Sequence, residues 1–332
     1  MRRIQNYFTL NRRILVFRKK LSAFNSIENV FDTLLPLLKL QKVELPYPSR
    51  GLIFRIKNIL FLSKKANSLI HVTGYDHYLL WRPFRNSILT IHDLEALKRK
   101  SGIKYWFFKK LWFDIPISNA TIVTTISEFS KNEINSIGNY KTPIVVIPNP
   151  LCLPLILKEK QFNTKNVRVL QLGVKENKNI FRLIKALEGL NCTLVIVGSP
   201  SDSLVKELDR SRLVFEIKMN LSNEEVILEY YKCDIVTLVS TYEGFGLPII
   251  EAQAVGRPVI TSNVASMPEV AGDGALLVDP YNITAIREGI VRLINDDNLR
   301  EGLIDNGLDN VKRFQPDRIA SQYLELYQTL DK

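Results

Sequence analysis

The sequence is poor in cysteine, in histidine and in long apolar runs, and each shortage removes a class of function. Cysteine occurs three times, at Cys152, Cys192 and Cys233, without a C-x-x-C pair. An odd, scattered set excludes a disulfide framework and suits a reduced compartment. Cys192 and Cys233 adjoin apolar runs and are expected to be buried thiols. The histidines are His71, His77 and His92, and the first two have no companion ligand beyond Asp76, so no metal site is expected. No D-x-D sequence occurs. No uncharged apolar run approaches the roughly 20 residues of a membrane span. Arg12 and Arg13 interrupt any signal-peptide core. The expectation is a cytoplasmic protein, or one peripheral at the inner face of the cytoplasmic membrane.

Acidic residues are scarce in the first half. Residues 1–150 carry 24 Lys and Arg against 9 Asp and Glu, whereas the remainder carries 21 against 25. The first half is therefore a basic unit. It suits an anionic partner such as a membrane surface, nucleic acid or a phosphorylated substrate. A solvated basic face is the plainer account. No nucleic-acid-binding motif accompanies the charge, so nucleic acid is not the expected partner.

At 332 residues, 46% of them hydrophobic, the chain is long enough for two domains. Short β-branched apolar runs alternate with segments of helical period. In the first half the runs are 69–72, 88–91, 122–125 and 144–147, with helices expected at 104–113 and 127–137. In the second half strands are expected at 167–172, 193–197, 213–217, 234–239, 258–262 and 275–278. Helices fit at 178–188, 222–231, 248–255, 283–295 and 297–310. Such alternation means parallel sheets covered on both faces, here two doubly wound α/β domains. Prolines at 148, 150 and 154 mark a boundary. The expected division is 1–150, a linker at 151–165, a second domain at 166–315 and a terminal helix at 316–332. That helix needs a partner surface, for which the first domain is a candidate. Ligands of such sheets bind at the carboxyl ends of strands, so the cleft between two facing domains is the expected active site.

The most informative stretch is Ser240-Thr241-Tyr242-Glu243-Gly244-Phe245-Gly246-Leu247-Pro248-Ile249-Ile250-Glu251. It follows an apolar strand, turns at two glycines, and enters a helix at Pro248, a residue suited to the first helical turn. A glycine-preceded helix N-terminus presents free N–H groups and partial positive charge to a phosphate. Glu243 before the turn and Glu251 one turn into the helix can each accept two hydrogen bonds from a vicinal diol. Phosphates flanked by two polyols is the layout of a nucleotide sugar. An ordinary βα turn with two surface glutamates is the plainer alternative.

Glu243 through Glu251 resembles the E-x7-E motif of glycosyltransferase family 4, the group 1 retaining enzymes of GT-B fold. Leu170-Gln171-Leu172-Gly173 with Lys178-Asn179, Gly256-Arg257-Pro258-Val259-Ile260, Pro268-Glu269-Val270 and Ile147-Pro148-Asn149 resemble other segments of that family. The resemblance is specific over about 165–330, looser over 70–150 and weak before 70. It implies two Rossmann-like domains, the first binding acceptor and the second the donor. Glu243 would bond hydroxyls of the transferred sugar and Glu251 the ribose. Gly173, Lys178, Asn179 and the backbone of Gly244, Phe245, Gly246 and Leu247 would hold the donor, with Lys178 neutralising the departing diphosphate. A solvated lysine at a helix start is the alternative for Lys178.

His92 resembles the strand-end histidine that faces the donor sugar; a satisfied structural histidine is its alternative. Gly74, Tyr75, Asp76 and His77, with Asp93, suit an acceptor-side loop, or a plain one. The missing D-x-D speaks against the metal-dependent GT-A class. Val174 stands where the family often has arginine, so the diphosphate would have one cation fewer or take one from the first domain. Ser22-Ala23-Phe24-Asn25-Ser26-Ile27-Glu28 replaces the family's first glycine loop, with Ser26 a candidate cap for a helix 27–35. The expected reaction is sugar transfer from a UDP- or GDP-sugar to an acceptor hydroxyl of a glycan or lipid, with retention and without metal. The expected setting is polysaccharide, lipopolysaccharide or glycolipid synthesis. A sugar-nucleotide epimerase, a glycan phosphorylase, or a non-catalytic nucleotide- or nucleic-acid-binding module are the rivals.

Overall fold

The computed structural model describes residues 13–19 and 26–330. The chain divides into two compact units, one formed by residues 1–152 with 316–332 and the other by Leu153–Gln315.

The sheet of the first unit consists of β1 (Arg13–Phe17), β2 (Gln41–Glu44), β3 (Leu69–Val72), β4 (Ser87–Ile91), β5 (Ile122–Thr125) and β6 (Ile144–Val146). Its strands are parallel, in the order β2-β1-β3-β4-β5-β6. β3, β4 and β5 are buried along their whole length, as runs covered on both faces must be. Neither β1, β2 nor the helix Leu52–Ser63 was expected from the sequence. β1 is a five-residue run between charged flanks. β2, Gln-Lys-Val-Glu, is a mostly polar edge strand with one buried side chain. The helix expected at 27–35 spans Ser26–Leu38. Most of its expected phosphate-facing approach, residues 22–25, lies outside the described residues. The helix expected at 104–113 is Gly102–Lys109, continued by a wider π-type turn over Lys110–Asp114 and a short helix Ile115–Asn119.

The second unit contains β7 (Val167–Leu172), β8 (Cys192–Val197), β9 (Val214–Lys218), β10 (Ile235–Leu238), β11 (Val259–Ser262) and β12 (Leu276–Val278), ordered β12-β11-β10-β7-β8-β9 and all parallel. Expected helices are found at Ile180–Leu187, Asn223–Lys232, Leu247–Ala254, Ile283–Asn295 and Asp297–Asn310. Asp202–Arg210 and Met267–Ala271 are additional. Cys192 and Cys233 are buried free thiols. The irregular chain after residue 153 is tied down by Asp234, which accepts from Lys160 and the Asn163 N–H, and by Arg257, which donates to the Lys158 carbonyl at 2.8 Å.

The helix Pro316–Thr329 packs in the first unit. Ile319, Tyr323 and Tyr327 enter the same core as Phe31 and Leu34. Tyr327 Oη lies 2.8 Å from His71 Nδ1, and His71 Nε2 lies 2.7 Å from Thr90 Oγ1, which meets Thr124 Oγ1 at 2.7 Å. His71 is thus a satisfied structural histidine. Replacing Tyr327 by Phe strands a buried ring nitrogen and is expected to cost about 1–3 kcal/mol in urea unfolding. Burial pushes His71 down to about 3 and His77 down to about 4. An unfolded histidine titrates near 6.5, so below that pH the unfolded chain takes up protons that the folded chain refuses. Stability present above pH 6.5 is therefore lost as pH falls toward 4, at about 1.4 kcal/mol per unit per histidine. Melting curves at pH 7.5 and pH 5 check this, and a flat profile refutes it.

Candidate active site

In the second sheet β7 lies between β8 and β10, so the strand order reverses there. The connections leaving β7 and β10 run to opposite faces, the position at which sheets of this kind bind ligands. Both expected donor segments occupy that point. After β7, Gly173 donates its N–H to the Val197 carbonyl and takes a positive φ of 84°. A Cβ there would stand 3.1 Å from Lys178 Cε, so the glycine leaves room for the lysine stem. The chain then turns through Glu176–Lys178 into the helix Ile180–Leu187.

The loop after β10 is bound to this turn. Thr241 N–H donates to the Asn177 carbonyl at 2.8 Å, and Asn177 Nδ2 donates to the Tyr242 carbonyl at 2.9 Å. Lys178 Nζ pairs with Glu243 Oε1 at 2.8 Å, both side chains being largely shielded. Gly246 stands at the head of the helix Leu247–Ala254 with φ 104°, and Pro248 occupies its first turn. Ser266 Oγ lies 2.9 Å from the carbonyls of both Glu243 and Phe245. These bonds fix the glycine turn at the head of the helix, where Pro248 has no N–H, Ile249 donates to the Gly246 carbonyl at 3.0 Å, and the Leu247 N–H has no acceptor within the helix.

Glu251 is 7% exposed, with the Tyr230 hydroxyl donating to its carboxylate. Burial raises its pKa, opposed by the Tyr230 hydrogen bond and by the Lys178 charge. Lys178 is thus bonded to Glu243 and electrostatically coupled to Glu251. Asn179 differs in role from its neighbour. In a left-handed conformation, it donates through Nδ2 to the Val239 and Pro280 carbonyls and accepts from Arg182, bracing the turn. Val174 is half-buried against the second unit's core.

The first sheet reverses its order between β1 and β3. A pocket of about 300 Å³ lies there, lined by Arg18, Lys19, Ser49, Arg50, Tyr75, Asp76 and Trp112. Asp76 is buried, which raises its pKa, while Ser49, Arg18 and Arg55 pull the other way. Arg18 is paired with Glu28. Lys19 and Arg50 add cationic charge at the rim. Tyr75 Oη donates to Asp93 Oδ2 at 2.7 Å. His92, at the end of β4, is buried and donates from Nε2 to the Thr73 carbonyl at 2.9 Å. That fixes its tautomer and leaves Nδ1 as the ring's acceptor. Burial lowers its pKa, keeping the ring neutral. His77 donates from Nδ1 to the Trp112 carbonyl, and its buried Nε2 has no hydrogen-bond partner among the described residues.

The structure therefore gathers Gly173, Lys178, Glu243, Gly246 and Glu251 at one switch point. It places Tyr75, Asp76, His77, His92 and Asp93 around the other, with Gly74 in the loop between β3 and Asp76. Sequence reasoning missed Asn177, Ser266 and Tyr230, which bond the motif from outside it, and the cations Arg18, Lys19 and Arg50. Asn177 sits beside the Lys178-Asn179 pair, and that adjacency was its one signal.

The family model described as glycosyl transferases group 1 matches residues 155–309. The chain is also 32% identical over 286 residues to O-antigen chain mannosyltransferase B of Escherichia coli, covering 77% of this chain and 74% of that one. The chain belongs to the group 1 glycosyl transferases. The matched span lies within the second unit, and the alignment with the mannosyltransferase extends this glycosyltransferase's likeness beyond it. Sucrose-phosphate synthase from Thermosynechococcus elongatus superposes with TM-score 0.78 at 19% identity, over 96% of this chain and 99% of that one. HepE from Anabaena in complex with UDP and glucose gives 0.76 at 18%, over 96% and 100%. At these identities the likeness shows the fold, the two-domain α/β GT-B architecture.

Adding a Cβ at Gly246 would force a left-handed side-chain residue against Ile249 and Leu238 atoms at 3.1 Å. The Gly246→Ala glycosyltransferase is expected to lose about 1–3 kcal/mol of stability, read as a lowered melting temperature. An unchanged melt would mean that the turn is not under the constraint described.

Proposed function

We propose that this glycosyltransferase moves a sugar from a UDP- or GDP-sugar to an acceptor hydroxyl with retention at the anomeric carbon, as a family 4 enzyme. The observation that carries the reading is the Lys178–Glu243 ion pair at the β7–β10 switch point, beside the N-terminus of the helix Leu247–Ala254. An ion pair at such a point is poised for exchange. An entering diphosphate takes Lys178 and the free N–H groups of Phe245, Gly246 and Leu247 as its donors. Glu243, released from the lysine, accepts hydroxyls of the sugar, and Glu251 accepts the ribose diol. Breaking the sugar–phosphate bond builds negative charge on the leaving oxygen, and fixed donors placed there lower the barrier.

No enzymatic nucleophile is assigned. The acceptor attacks on the face the diphosphate leaves, and the leaving phosphate takes the acceptor's proton. His92, neutral and held by Thr73, bonds the sugar or acceptor through Nδ1. Tyr75, Asp76, His77 and Asp93 are assigned to the acceptor side. The reading needs no metal ion, because Lys178 and the helix terminus supply the positive charge.

The acceptor is proposed to be a glycan or lipid-linked glycan in cell-surface polysaccharide, lipopolysaccharide or glycolipid synthesis. The name of the E. coli relative supports that class. The strongly basic first half suits a peripheral position at an anionic inner leaflet.

A thermal-shift screen against UDP- and GDP-sugars, followed by mass spectrometry of products, tests the reaction. Stabilisation by one donor series and a product heavier by one sugar are expected. Lys178→Ala and Glu243→Gln are each expected to lower kcat by about 10²–10³-fold while the protein stays folded. Retained activity in both variants would remove the assignment, and an inverted anomeric proton coupling by NMR would remove retention.

A further inference from the structure

The helix Leu52–Ser63 is apolar on the side a soluble protein turns to water. It buries Asn58 and Leu62, and Ile59 and Phe61 pack on the first unit's core. Leu52 and Ile53 are nevertheless 72% and 69% exposed, and Ile56 and Leu60 continue the exposed stripe at helical spacing. The helix Gly102–Lys109 repeats the arrangement. Tyr105 and Phe108 face the same core. Ile103 and Trp106 are 71% and 67% exposed, and Phe107 and Leu111 extend that stripe. The two helices are neighbours through Trp112, whose ring stacks on Phe108 with centroids 5.2 Å apart and carries the Arg55 guanidinium 4.5 Å above it. Both stripes therefore lie on the sides turned away from one shared core.

Charge decides what covers them. Residues 50–65 contain five basic and no acidic side chains, and residues 98–113 contain six and none. Lys98, Arg99 and Lys109 have carboxylate partners in Glu133, Glu95 and Asp114. The segments remain strongly cationic around exposed aliphatic and aromatic groups. A second copy of the same face would meet equal charge. A nucleic acid would satisfy the lysines and leave Leu52, Ile53, Ile56 and Leu60 against water. An anionic bilayer satisfies both, because phosphates meet the cations and the apolar groups enter the acyl boundary.

We infer that the outer faces of the helices Leu52–Ser63 and Gly102–Lys109 form a docking surface for an anionic lipid bilayer. The inference gives a location to the peripheral position proposed above, and it rests on that reading of the acceptor. The basic pocket at the β1–β3 switch point opens beside this surface, since Arg50 precedes one helix and Trp112 follows the other. A lipid-linked anionic acceptor lying in the bilayer is then presented next to Lys19, Arg50 and Tyr75.

The test uses the full chain and vesicles, without donor or acceptor. Co-sedimentation with vesicles containing phosphatidylglycerol is expected, with weak binding to pure phosphatidylcholine and release by salt. Trp106 lies on the exposed stripe, and its emission is expected to shift to the blue on binding. The double variant Trp106→Ser, Phe107→Ser is expected to lose vesicle binding in co-sedimentation. Lys57→Gln and Lys104→Gln are each expected to weaken binding about fivefold. All are exposed, and an unchanged melt and an unchanged thermal shift with nucleotide sugar show that the fold and the donor unit remain intact. Equal sedimentation with neutral and anionic vesicles, or full binding by the double variant, overturns the docking surface. So does a wild-type dimer that the double variant converts to a monomer without change in vesicle binding. Because nucleotide-sugar stabilisation is read separately, loss of the docking surface leaves the proposed reaction standing.

Discussion

Because β7 pairs with β8 on one side and β10 on the other, the chain must leave these two strands toward opposite faces of the sheet. The two loops are joined there by one backbone bond, from the Thr241 N–H to the Asn177 carbonyl, and by side chains, Asn177 and Lys178 from one loop reaching Tyr242 and Glu243 of the other. Everything assigned to the donor follows from that constraint. Gly173 makes room for the lysine stem, Gly246 turns the second loop into its helix, and Ser266 ties down the carbonyls between. In the proposed reaction an entering diphosphate exchanges this charged pair for contacts of its own.

The first unit repeats the geometry with different chemistry. Its order reverses between β1 and β3, and the crevice there is lined by arginine, lysine and a buried aspartate instead of a glycine turn. His71, His77 and His92 lie on or just beyond strands of this unit, yet burial gives them different duties. His71 is closed into a network with Tyr327 and Thr90, and its charge is excluded. His92 is oriented by one bond to Thr73 and keeps its other nitrogen as acceptor. The terminal helix belongs to this network. Residues some 250 positions apart along the chain close one core, as the His71–Tyr327 separation of 256 shows.

The parallel strands of the second unit were legible because burial on both faces leaves short, mostly apolar runs rich in β-branched residues, such as Cys-Thr-Leu-Val-Ile-Val and Ile-Val-Thr-Leu. Helix starts were legible where a cap is local, as at Ser127, whose side chain accepts from the Ser130 N–H. The helix Leu52–Ser63 was not, because its apolar residues lie on both its core side and its outer side and so erase the periodicity. That failure has the same physical origin as the inferred docking surface. β2 was hidden because an edge strand with one buried residue has no apolar run to read.

By itself the sequence determined the α/β class, the glycine turn with its two carboxylates, and the basic character of the first half. These depend on residue type and near spacing, which one dimension records. Only the tertiary structure decided that Lys178 faces Glu243 rather than water, that Tyr230 and Ser266 serve the motif, and that Arg18 and Trp112 share a pocket. Those contacts join residues from 21 to about 95 positions apart. They arise from strand order, which no local pattern of side chains encodes.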